Sequence, residues 1–127
     1  MVILITGRPN AGKTTLAKKL VRKYDEAILV DADEFREVFK KKGYTRRSRI
    51  GWMMTLARYA ALRESQGFLP IIAMVSPYRK TRKAMMKLFK QAKLIYVDGT
   101  DKYMWEGSVY EEPLEDENPL VIKGNYG

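Results

Sequence analysis

The sequence predicts an α/β fold, a three-layer sandwich on a mostly parallel sheet of about five strands, formed by a single domain over residues 1–127. Three observations predict it. Short β-branched runs alternate with stretches of helical apolar spacing, and the first run ends at a Gly-rich turn that opens a helix. The 127 residues, 46% of them hydrophobic, suffice for one core.

Val2-Ile3-Leu4-Ile5-Thr6 is an unbroken run, the pattern of a strand buried on both faces of a parallel sheet. From Lys13, the residues Leu16, Ala17, Leu20 and Val21 recur at helical spacing, with Lys18, Lys19, Arg22 and Lys23 outside the buried face. Ala27 to Val30 reads as the second strand, and Glu34 to Lys41 as a helix stopped by Gly43. Arg49 to Gln66 reads as a longer helix closed by Gly67. Its apolar side carries Ile50, Met53, Met54, Ala57, Ala60 and Ala61, widened by Leu56, Tyr59 and Leu62. Pro70 to Val75 is the third strand, Tyr78 to Gln91 a helix with Met85, Leu88 and Phe89, and Leu94 to Val97 the fourth strand. Residues 98–127 form an acidic, largely irregular segment in which Leu120-Val121-Ile122 resembles one edge strand. Met53, Met54, Met85 and Met86 read as packing.

Cysteine and histidine are both absent, which excludes disulfides, thiolate or imidazole zinc sites and any triad with a histidine base. A metal partner must then be hard and oxygen-liganded, a description Mg²⁺ meets. No apolar run approaches the roughly 20 residues that span a bilayer, so no membrane partner is expected and a cytoplasmic location follows. The net charge of +9 is uneven: residues 1–97 hold 22 Lys and Arg against 7 Asp and Glu, and residues 98–127 hold 2 against 8. A basic body with an acidic tail reads either as internal compensation or as attraction of a polyanion, nucleotide or nucleic acid.

Gly7-Arg8-Pro9-Asn10-Ala11-Gly12-Lys13-Thr14 fits the P-loop pattern without a mismatch, between a buried strand and a helix. The fold class is therefore of the P-loop NTPase type. Glycines let the backbone wrap a phosphate, amide groups and the helix N-terminus face the anion, Lys13 reaches the β/γ-phosphates, and the Thr14 hydroxyl is a metal ligand. Thr15 either touches the α-phosphate or only starts the helix. ATP and Mg²⁺ are the cofactors this predicts. No Asp-x-x-Gly after a strand and no Asn-Lys-x-Asp occurs, which disfavours a GTPase.

Asp31-Ala32-Asp33-Glu34-Phe35-Arg36 falls at the carboxyl end of the second strand, the edge where open parallel sheets bind ligands. Asp33 is placed to take a proton from an acceptor hydroxyl or to hold Mg²⁺ through water, Asp31 to share the metal, and Arg36 to grip an anionic acceptor. The ordinary alternative is a helix N-cap followed by a surface arginine.

With Gly43-Tyr44-Thr45, Arg49 and Ser76-Pro77-Tyr78-Arg79 added in this order, the chain resembles the adenylylsulfate kinase family over roughly residues 2–97, and Tyr110-Glu111-Glu112-Pro113 is similar to that family's Tyr-Glu-x-Pro. The resemblance implies transfer from ATP to adenylyl sulfate. Within it Lys13, Asp33, Arg36 and Ser76 match catalytic positions, Arg36 and Arg49 hold the phosphosulfate, Tyr44 lies near the adenine, and Ser76 and Arg79 belong to the acceptor site. Departures stand beside it: Ala32 for a Gly, Glu34 for an Asn with Arg36 one residue early, Trp52 for an Asn, and only Gly99 to Val109 where the family has a basic helix and lid.

Asp-x-x-Arg after a P-loop also resembles phage-type polynucleotide 5′-kinases. Lys40-Lys41-Lys42, Arg46 to Arg49 and Arg79 to Lys83 would then track a nucleic acid strand, with Trp52 or Tyr44 as a stacking platform, although Trp52 reads more readily as core. A small nucleotide acceptor is the preferred partner, nucleic acid the alternative, and a non-catalytic nucleotide-binding module a third reading. The oligomeric state is left open, a homodimer among the options.

Overall fold

The computed structural model describes residues 1–38, 45–99 and 109–123. Its elements are β1 (Val2–Thr6), α1 (Lys13–Lys23), β2 (Ala27–Asp31), α2 (Ala32–Val38), α3 (Arg46–Ser65), β3 (Leu69–Ala73), α4 (Arg79–Met86), β4 (Ala92–Asp98), a 3-10 turn (Glu115–Glu117) and β5 (Leu120–Lys123). The five strands form one sheet in the order β2-β3-β1-β4-β5. Every pairing is parallel. β1 is therefore central, and β5 is an edge, as expected. No helix among the described residues is long and apolar enough to cross a membrane.

Alternation along β1 divides the core. Ile3 and Ile5 face Ala17, Ile71, Ala73, Ile95 and Val97, with Leu16, Leu20 and Val21 of α1 closing that layer. Val2 and Leu4 face Phe35, Met53, Leu56, Ala57, Ala60, Met85 and Phe89 from α2, α3, α4 and the turn after α4. Met54 and Met86 pack against this second layer, so all four methionines serve as packing.

The element boundaries moved for identifiable reasons. β2 runs on to Asp31 and α2 begins at Ala32, two residues earlier than expected, because Asp31 Oδ1 accepts the Asp33 N–H at 2.9 Å and the Glu34 N–H at 3.3 Å. The expected end of that helix at Lys41 lies outside the described residues. α3 starts at Arg46 rather than Arg49, capped by the Thr45 side chain, which accepts the Ser48 N–H at 3.2 Å. Its apolar face extends to Leu56 but not to Tyr59 and Leu62, which are exposed. α4 stops at Met86, not Gln91. The chain there tightens into turns, and the Lys90 and Gln91 amides donate to the buried Glu64 carboxylate at 2.9 and 3.2 Å. Leu88 is consequently exposed. β3 ends at Ala73 because the next carbonyls leave the ladder: Val75 O accepts from Thr6 Oγ1 at 2.6 Å, and Ser76 O accepts from Arg82 at 2.6 Å.

The acidic segment is bound to the body. Arg82, fully buried on α4, donates to Ser76 O and Glu111 O, each at 2.6 Å. It also makes a two-pronged pair with the Glu117 carboxylate at 2.9 and 3.0 Å. Its guanidinium carbon lies 5.7 Å from the centre of the Tyr110 ring. The Arg79 amide donates to Glu111 Oε1 at 2.9 Å, and Arg79 Nε to Glu112 O at 2.8 Å, while Lys83 pairs with Asp116. Compensation within the chain is thus the structural outcome for this part of the charge imbalance: within Arg79 to Lys83, Arg79, Arg82 and Lys83 are engaged by the acidic segment and Lys80 is exposed.

Removing one partner of a buried ion pair strands the other charge. Glu117→Ala is expected to lower unfolding free energy by about 3–5 kcal/mol in urea denaturation. Asp116→Ala, which loses an exposed pair, is expected to leave the midpoint nearly unchanged.

Candidate active site

The turn between β1 and α1 owes its shape to three residues. A Cβ on Gly7 would lie 2.6 Å from the Val97 carbonyl oxygen, so only glycine allows this approach to β4. Asn10 (φ 64°) and Gly12 (φ 104°) take left-handed backbone, which glycine adopts freely and asparagine tolerates. Gly12 is also the N-cap of α1, and no side chain caps that helix. Its positive end opens on a cavity of about 490 Å³ at the carboxyl edge of the sheet.

The cavity gathers most of the predicted residues. Pro9, Asn10, Gly12, Lys13, Thr14 and Thr15 line one side. Asp31, Asp33 and Arg36 come from the β2–α2 junction, Arg49 and Trp52 from α3, and Ser76 from the loop after β3. Met53, Met74, Val75 and Pro77, which sequence reasoning did not assign to the site, also line the cavity. Four predicted residues stand elsewhere. Gly7 shapes the turn, Ala11 is buried in the core, Arg8 points to Glu112 and Tyr110, and Arg79 to Glu111 and Glu112. Tyr44 lies outside the described residues.

Lys13 Nζ donates to the Arg8 carbonyl at 2.8 Å. Burial pushes its pKa down to about 8, against an opposing contribution from the Asp33 charge. Arg36 lies over the Trp52 ring, its guanidinium carbon 5.4 Å from the centroid. Trp52 is half-buried, packing on the core at the same time as it lines the cavity. Ser76 has φ 44° and is 2% exposed, and its hydroxyl donates to Met85 Sδ at 3.9 Å. What it presents elsewhere is its carbonyl, held by Arg82.

The oxygen donors suit a hard cation that takes most of its ligands from phosphates and water. Among the described residues no three acidic side chains cluster into a metal site of their own. Thr14 and Asp33 line the same cavity, while Asp31 commits one carboxylate oxygen to capping α2. Magnesium beside a bound polyphosphate fits that set.

A family described as adenylylsulphate kinase matches residues 1–106. The cytidine diphosphoramidate kinase of Campylobacter jejuni is 31% identical over 101 residues, 76% of this chain and 59% of that protein. An adenylyl-sulfate kinase of Paraburkholderia xenovorans is 36% identical over 92 residues, 68% of this chain and 51% of its own length. The chain thus spans little more than half of these relatives. The structure of the Mycobacterium tuberculosis APS kinase CysC in complex with AMPPNP and APS superimposes with a TM-score of 0.81, covering 96% of this chain and 87% of that one. At 19% identity this is a likeness of fold.

The depressed Lys13 pKa has a measurable sign. Burial lowers the Lys13 pKa to about 8, and phosphate charge brought into the cavity would raise it again. Binding of a nucleotide polyphosphate must then take up protons, and affinity must fall as pH rises through about 8. Calorimetry at pH 8 in buffers of different ionisation enthalpy is expected to show net proton uptake on binding, lost in Lys13→Met.

Proposed function

The chain belongs to the adenylylsulphate kinase family, and from that premise we propose that it transfers the γ-phosphoryl group of ATP to a hydroxyl of a small nucleotide-type acceptor. The observation that carries this reading is that Lys13 and Thr14 line the same cavity as Asp33, Arg36 and Arg49. A donor half and an acceptor half are thereby juxtaposed.

In this reading the amide groups of the turn and the first turn of α1 hold the donor phosphates. Lys13 leaves the Arg8 carbonyl to follow the charge on the β/γ-phosphates as it migrates. Asp33 accepts the proton of the acceptor hydroxyl, and Arg36 and Arg49 hold the acceptor's anionic group in line. Thr14, with Asp33 through water, would hold Mg²⁺, which when bound neutralises phosphate charge. The Ser76 hydroxyl faces Met85, which favours direct transfer over a phosphoserine intermediate.

Adenylyl sulfate is the first acceptor to test. A second reading, a different anionic nucleotide, is favoured by Trp52, a large aromatic where the resemblance calls for an asparagine, and by the similarity to a cytidine diphosphoramidate kinase. A polynucleotide acceptor has less support, because Arg79, Arg82 and Lys83 are engaged by the acidic segment.

Incubation with γ-labelled ATP and, separately, adenylyl sulfate, cytidine diphosphoramidate and a 5′-hydroxyl oligonucleotide identifies the acceptor by where the label goes. On the substrate so found, Asp33→Asn is expected to lower kcat by about 10²–10⁴ while changing ATP affinity little. Lys13→Ala is expected to abolish transfer. Full activity of Lys13→Ala, or label reaching none of the acceptors, contradicts the kinase reading.

A further inference from the structure

The proposed chemistry leaves the acidic segment without a role, yet that segment touches the P-loop from outside the cavity. Two contacts in series link it to the lysine. Glu112 Oε1 accepts from Arg8 Nη1 at 2.7 Å, and the Arg8 carbonyl accepts from Lys13 Nζ at 2.8 Å. Other groups also grip the Arg8 guanidinium: it lies over the Tyr110 ring, 5.2 Å from the centroid, and donates to the Tyr96 hydroxyl at 3.4 Å. Tyr110 is itself fixed, since its hydroxyl is 3.0 Å from Thr6 Oγ1 and its ring stacks on Tyr96 at 6.1 Å. The Arg8 side chain is thus turned to the segment, and its carbonyl to the lysine.

From this series we infer that Glu112 is a positioning residue for nucleotide binding: by holding Arg8 it fixes the P-loop backbone and the resting place of Lys13. The inference rests on reading Gly7 to Thr14 as a nucleotide site. Arg8 is the only charged residue between Gly7 and Gly12, and so the loop's one ionic anchor. The loop has two left-handed residues, and the backbone bond within it, from the Ala11 N–H to the Arg8 carbonyl at 3.3 Å, is long, so side-chain ties add to what holds its shape. A loop already held in its bound shape loses less entropy when ligand arrives, which raises affinity. The pair is also placed to act without carrying the fold. Glu112 is exposed, and the buried Arg82–Glu117 pair anchors the segment independently.

The test is the dissociation constant of mant-ADP with Mg²⁺, read by fluorescence for wild type, Glu112→Gln, Arg8→Met and the double variant, with Tm measured on each. Each single variant is expected to bind about two- to fivefold more weakly, the scale of a partly exposed pair, at nearly unchanged Tm. The double variant is expected to bind no more weakly than the worse single, because both changes break one link. Additive losses, or weakening that appears only with a matching fall in Tm, overturn the inference. A wild type that binds beside a Glu112→Gln that binds equally well overturns this inference alone. A wild type that does not bind mant-ADP overturns the nucleotide reading and the inference with it.

Discussion

The buried pair of Arg82 and Glu117 is the constraint on which the rest of the site depends. An arginine wholly inside a protein is tolerable only if its donors are met, and here two main-chain carbonyls and a carboxylate meet them. Those partners come from two places distant in sequence, the loop after β3 and the segment after residue 109. One side chain therefore fixes both the left-handed turn at Ser76, which borders the cavity, and the strap that carries Tyr110 and Glu112 to the P-loop. Glycine at position 7 completes the arrangement by letting β1 turn against β4.

The parts of the fold legible in the sequence were those governed by period and by turn chemistry. Unbroken apolar runs located all five strands; β1 and β3, covered on both faces, need no polar alternation, whereas the edge strand β5 leaves Leu120 and Val121 exposed. The P-loop was legible because its glycines are demanded by backbone geometry at Gly7 and Gly12. Asp33 and Arg36 could be placed at the carboxyl edge of the sheet from the end of the second strand, and Arg49 only through the family resemblance; the cavity gathers all three.

What escaped was set by contacts between distant residues. Arg82 reads locally as one of five polar residues in a basic run, and only its register with Tyr78, Met85 and Phe89 hints that it faces inward. The ends of α2, α3, α4 and β3 shifted because carboxylates and hydroxyls, at Asp31, Thr45, Glu64 and Thr6, captured particular amides and carbonyls. Trp52 illustrates a different limit. Composition treats core and binding platform as alternatives, whereas an indole is large enough to pack with one edge and line a cavity beneath Arg36 with the rest.

The bond between Thr6 and Tyr110 joins residues 104 positions apart, and the Arg8–Glu112 pair spans the same interval. During synthesis β1 leaves the ribosome early, but its neighbours β3 and β4 and the strap that grips its outgoing turn follow much later. The order of assembly is therefore inverted with respect to the order of the chain. Core layers can condense around α1, α3 and the inner strands while the turn between β1 and α1 still lacks Glu112, and the turn gains its anchor only after closure of a loop that spans 104 positions. Completion of the cavity edge becomes a late event, separable in time from collapse of the sheet. A nascent chain stalled before residue 112 would carry the P-loop motif without its ionic anchor.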